Sequence, residues 1–120
     1  MKRIDVYSDS VERDDTLGLV HDGEPFTGEL VDAWGDTLLS LVTYHNGRRH
    51  GPVKEWYEDG TLKSEGTNQN GIAVGTLREW HNNGALAVEK LFNDRGELVS
   101  EKHWDEDGAP EPYRPTGMPE

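Results

Sequence analysis

Apolar residues recur along the chain in short alternating runs such as TLLSLVTYH (37–45), VKEW (53–56), TLREW (76–80), LAVEKLF (86–92) and LVSEKHW (98–104). Glycines punctuate them at a near-constant interval. Gly23, Gly35, Gly47, Gly60, Gly71, Gly84, Gly96 and Gly108 are separated by 12, 12, 13, 11, 13, 12 and 12 residues. Most close an Asp/Asn-rich tripeptide: HDG, HNG, EDG, QNG, NNG, DRG, EDG. Glycine tolerates φ > 0, and Asn or Asp bonds its own backbone, so these are hairpin-turn signals. The spacing leaves strands of about nine residues or fewer and no room for a helix. The pattern predicts an all-β fold, an antiparallel meander of repeated hairpins in a single twisted sheet.

The turns also predict faces. With a three-residue loop at Glu58–Gly60, Tyr57 opposes Thr61 and Trp56 opposes Leu62; likewise Trp80 opposes Leu86 and Phe92 opposes Leu98. Strict alternation along each strand then collects Val42, Trp56, Leu62, Val74 and Trp80 on one face, with Leu86, Val88, Phe92, Leu98 and Trp104. The other face receives Val53, Leu77 and the glutamates Glu55, Glu65, Glu79, Glu89, Glu97 and Glu101. A one-residue slip at any turn swaps the faces beyond it. The aromatic stripe is expected to be structural, rolled by sheet twist so that the tryptophans pack on Leu62, Leu86 and Phe92.

The interval is half of a larger unit. NGRRHGPVKEWYEDGTLKSEGTNQ (46–69) and NGIAVGTLREWHNNGALAVEKLFN (70–93) are two copies of one 24-residue repeat. Gly47, Gly51, Trp56, Gly60 and Leu62 align with Gly71, Gly75, Trp80, Gly84 and Leu86, which marks a repeat architecture. A degenerate copy precedes them (23–45), with Gly28 one residue late relative to Gly51. Another follows, carried by Trp104 and Gly108. The expected organisation is cap strands over 1–22, four repeats over 23–108, and a Pro-rich tail over 109–120.

Composition fits a thin sheet: 32% hydrophobic residues, 14 glycines and no cysteine in 120 residues. The first ten residues, MKRIDVYSDS, lack the apolar core of a signal peptide, and no run is long enough for a membrane helix, so a cytoplasmic protein is expected. The formal charge of −12, from 24 acidic and 12 basic residues, argues against nucleic-acid or anionic-membrane partners, which need a basic footprint.

Catalytic chemistry finds no constellation. His21, His45, His50, His81 and His103 form no metal motif and have no cysteine companions. The acidic turn Asp105–Gly108 only faintly resembles a calcium loop. Glu55 and Glu79 occupy equivalent repeat positions, which reads as a ladder rather than an acid/base pair. Neither enzyme activity, a metal nor a cofactor is expected.

The pattern yhNGrrhGpvkeWyedGtLkse resembles the MORN-repeat variant of bacterial proteins of the YwqK antitoxin type. The resemblance covers about 23–108 and is close in the two central repeats. It implies a hairpin meander and an antitoxin or immunity protein that neutralises a toxin; the alternative it leaves open is a scaffold or interaction module without a toxin partner. It brings no catalytic residues. On charge, the expected partner is a basic toxin, such as a nuclease, a deaminase or another polymorphic toxin domain. The candidate docking residues are Glu55, Glu65, Glu79, Glu89 and Glu101, with Tyr57 and His81 at the turn end.

Overall fold

The computed structural model describes residues 2–7 and 10–111; of the tail expected over 109–120, the part from 112 onward lies outside them. The architecture is all-β. In chain order the strands are β1 (Arg3–Asp5), β2 (Val11–Asp14), β3 (Gly18–His21), β4 (Glu24–Pro25), β5 (Gly28–Trp34), β6 (Thr37–His45), β7 (Arg48–Trp56), β8 (Leu62–Gln69), β9 (Ile72–Trp80), β10 (Leu86–Phe92), β11 (Leu98–Trp104) and β12 (Pro110–Glu111). From β5 to β12 each strand pairs antiparallel with the next, and β1 joins the free edge of β5 in parallel. The expected meander is thus the main sheet, of nine strands. Beside it β2, β3 and β4 form a small second sheet, where one sheet was expected.

Through the two central repeats, two turn types alternate at opposite ends of the sheet. Asn46-Gly47 and Asn70-Gly71 are two-residue turns with both residues at positive φ (49° and 85°, 50° and 92°). Their twist matches that of the flanking strands. At the opposite end, Glu58–Gly60 and Asn82–Gly84 are three-residue loops, closed by Tyr57 N–H to Thr61 O (2.9 Å) and His81 N–H to Ala85 O (2.8 Å). Gly60 and Gly84 take φ of 91° and 89°, as the turn pattern predicts.

The expected cross-strand pairs Trp56–Leu62, Trp80–Leu86 and Phe92–Leu98 all form. The faces beyond them differ from strict alternation. After each of these pairs the register slips by one residue: Glu55 pairs with Ser64, Glu79 with Val88 and Leu91 with Ser100, leaving Lys63, Ala87 and Val99 as bulge residues. A bulge puts two residues opposite one, so the alternation behind it inverts. Because directly opposed residues share a face, Trp56, Leu62, Val74, Trp80, Leu86 and Trp104 do lie together. Val42, Val88, Phe92 and Leu98 lie on the other face, with Val53 and Leu77.

The core sits at the N-terminal end rather than along the tryptophans. Leu19 and Phe26, from the small sheet and the segment after it, pack with Ile4, Leu30 and Tyr44, and Val11 and Val42 flank them. Trp56, Trp80 and Trp104 are only half-buried. No described element lies over them, whereas the small sheet covers β5 and β6. The docking is tight at one place: Leu19 N–H bonds Gly47 O at 2.8 Å. A Cβ on Gly47 would stand 2.0 Å from Leu17 O, so only glycine fits there.

Candidate functional site

The bulges decide which charges meet. Two residues along β7 from Trp56, the row Lys54–Glu65–Arg78–Glu89–Lys102 crosses five strands on the tryptophan face. Its charges alternate in sign, and Arg78 Nε reaches Glu89 Oε2 at 3.0 Å. On the opposite face the row Asp32–Ser40–Glu55–Ser64–Glu79 crosses β5 to β9. Here carboxylates alternate with serines, which carry no charge. Neighbouring strands are about 4.8 Å apart, so successive carboxylates on this row stand about 10 Å from one another.

The five candidate glutamates therefore do not share a face. Glu65 and Glu89 are on the tryptophan face, interleaved with cations, because the bulges at Lys63 and Ala87 invert β8 and β10. Glu55, Glu79 and Glu101 are on the opposite face. Of these, Glu101 is ion-paired with Lys90 and contacted by His103 Nε2, each at 3.3 Å. Burial pushes its carboxyl up, but the bonds from His103 and Lys90 outweigh this and hold it below the usual range. Glu97 lies in the turn after β10, beside Arg95 at 3.0 Å.

Tyr57 and His81 have structural partners. The Tyr57 hydroxyl donates to Trp80 O at 2.7 Å, and His81 Nε2 bonds Trp104 O at 2.8 Å. They tie neighbouring repeats together at equivalent positions. The Tyr57 ring stays at the surface of the site, with Lys63 Nζ 5.7 Å from its centroid.

Where the anionic row reaches the three-residue loops, it opens into a groove of about 710 Å³. Asp32, Glu55, Glu58 and Asp59 supply four carboxylates around Trp56 and Tyr57, with Lys63 as the cation in the lining. Among the described residues, Asp32 and Glu58 make no ion pair, and Glu55 only meets the Ser64 hydroxyl at 3.4 Å. Asp59 is bound into its turn: the Thr61 hydroxyl at 2.6 Å and the Thr61 amide at 3.0 Å hold its carboxyl below the ordinary range. A second hollow of about 420 Å³ adjoins through Leu39 and Glu58 and is walled by Trp34. Trp34 is 81% exposed at the tip of the β5–β6 hairpin.

Sequence reasoning located Glu55, Glu79 and Tyr57 but missed Asp32, Trp34, Glu58 and Asp59. The last two sit in a turn read as backbone chemistry alone. Asp32 and Trp34 belong to the degenerate first repeat, where register could not be carried over. Among the described residues no group of three histidine or acidic side chains gathers at metal-binding distance. No helix among them is long and apolar enough to cross a membrane.

Residues 49–70, which span most of β7, all of β8 and their connecting turn, match the MORN repeat variant family. No curated protein matches the chain. The match supports a repeat scaffold or interaction module, in keeping with a surface of grooves and charge rows.

Proposed function

We propose that this protein is an antitoxin or immunity protein of the YwqK type, which binds a basic toxin domain and blocks it by occupancy, without chemistry of its own. The observation that carries the reading is the groove beside Trp34, where Asp32 and Glu58 make no ion pair among the described residues, whereas Glu89 and Glu101 on the same sheet are paired with Arg78 and Lys90. Nucleases, deaminases and other toxins acting on nucleic acid present basic clefts. An acidic counter-surface speeds encounter and selects against wrong partners. An exposed tryptophan beside it supplies the large apolar anchor on which binding energy concentrates. The chain's charge of −12 keeps the same surface away from nucleic acid and anionic lipid.

The second reading, a repeat scaffold with no toxin partner, is favoured by the match of residues 49–70 to the MORN repeat variant. Co-expression with the product of the neighbouring reading frame separates the two. The antitoxin reading expects co-purification and relief of that product's growth inhibition. A neighbour that is harmless alone, or that stays toxic in the presence of this protein, sinks it.

A further inference from the structure

Arg13, Arg48 and Arg49 line one cavity of about 250 Å³ at the tight-turn end of the strands, opposite the acidic groove. Three of the chain's 12 lysines and arginines thus converge on one small hollow of a strongly acidic protein. Arg48 Nη2 donates to Thr16 O at 3.4 Å. Arg13 and Arg49 have no acceptor among the described residues. The one carboxylate in the wall, Asp14, is occupied by the amides of Leu17 and Thr16, each at 2.8 Å.

A second, independent observation comes from the core. Tyr44 forms part of the same wall and is only 3% exposed, yet its hydroxyl is buried with no hydrogen-bond partner among the described residues. Buried hydroxyls are almost always satisfied, because desolvating one without a partner is costly. Tyr44 is the direct cross-strand partner of Arg49, so the two side chains rise from the same face.

We propose that this cavity binds a small oxyanion, a phosphate or carboxylate group, held by the guanidinium groups of Arg13 and Arg49 with the Tyr44 hydroxyl as a further donor. Planar guanidinium forks match the two oxygens of such groups, and bonds of this charge-assisted kind are the strong ones. The overall negative field opposes an anion's approach, so the site works at short range and selects a compact ligand. This inference is independent of the antitoxin reading, since it uses the other end of the sheet and the opposite charge.

The test is thermal melting with inorganic phosphate titrated against chloride at constant ionic strength, and with acetate as the carboxylate probe. The wild-type protein is expected to show a saturable rise in melting temperature, on the order of a few degrees at roughly tenfold the dissociation constant. A rise with phosphate, with acetate or with both identifies the group. The double variant Arg13→Gln/Arg49→Gln loses the saturable rise, whereas Lys63→Gln/Lys102→Gln, with the same charge change, keeps it. Tyr44→Phe melts no lower than wild type without ligand and loses most of the rise. An absent rise, or an equal one in the arginine double variant, overturns the proposal. A Tyr44→Phe variant that melts lower in chloride alone removes the hydroxyl from it.

Discussion

The Tyr57 hydroxyl donates to the backbone carbonyl of Trp80 at 2.7 Å, and one repeat later His81 Nε2 occupies the same relation to Trp104 at 2.8 Å. A carbonyl oxygen only accepts, so His81 carries its proton on Nε2. Two chemically different side chains thus serve one purpose, stitching each three-residue loop to the end of the following hairpin. Tyr57→Phe keeps the ring and removes the bond; it is expected to cost about 1 kcal/mol in urea unfolding. Equal stability in the two proteins would show that water replaces the bond without loss.

Two glycines with similar φ should respond differently to the same change. Gly60 (φ 91°) has open space where a Cβ would go, and Gly47 (φ 85°) has Leu17 O at 2.0 Å. Asn tolerates the left-handed region, so Gly60→Asn is expected to cost about 1 kcal/mol or less. Gly47→Asn must push the small sheet off the turn and is expected to cost at least about 2–3 kcal/mol. Comparable melting temperatures for the two variants would contradict the close docking of β3 on Gly47.

Stability should concentrate where the second sheet covers the first. Leu19, 1% exposed, is expected to lose about 2–5 kcal/mol on replacement by Ala. Trp56, half-buried on a face that no described element covers, should lose about 1–2 kcal/mol, less than the full cost of a buried ring. The reverse order in chemical unfolding would mean that the tryptophan stripe is covered in solution.

Charge reversal distinguishes the two rows. On the antitoxin reading, Asp32→Lys with Glu55→Lys slows association with the toxin about tenfold or more and flattens its salt dependence. Glu65→Lys with Glu89→Lys, on the tryptophan face, leaves association within about twofold. Trp34→Ala keeps the melting temperature but speeds dissociation, since the ring is exposed. Stopped-flow kinetics at two ionic strengths reads both; equal effects from the two charge pairs would move the interface off the groove.

Asp59 provides a pH signature. Bonds from the Thr61 hydroxyl and amide hold its folded-state carboxyl below the ordinary value. A depressed folded pKa contributes stability that is present above the unfolded value and is lost as pH falls through the folded one. Carbon-detected NMR titration should find Asp59 still ionised at pH values where an ordinary, unbonded aspartate already protonates. In Asp59→Asn the acid-side loss should shrink; unchanged acid sensitivity would assign it to other carboxylates.

The turns were legible in the sequence because they obey local rules. Asn-Gly pairs and glycine-terminated tripeptides require positive φ whatever surrounds them, so the strands, the meander and the pairs Trp56–Leu62 and Trp80–Leu86 follow from residues a few positions apart. The match of Tyr57 to His81 was visible as a repeat position, although its purpose was not. What the tertiary structure decided was everything that depends on parity and on cover. One extra residue at Lys63, at Ala87 and at Val99 leaves no mark in composition or spacing, yet each inverts the side chains behind it. That sends Glu65 and Glu89 among cations and leaves Asp32, Glu55 and Glu79 in an anionic row. Nor does a periodic pattern say which part of a single layer will be covered. The N-terminal strands fold over β5 and β6, so the core forms at Leu30 and Tyr44 instead of the tryptophans. The same docking brings Arg13 beside Arg48 and Arg49, more than thirty residues away along the chain.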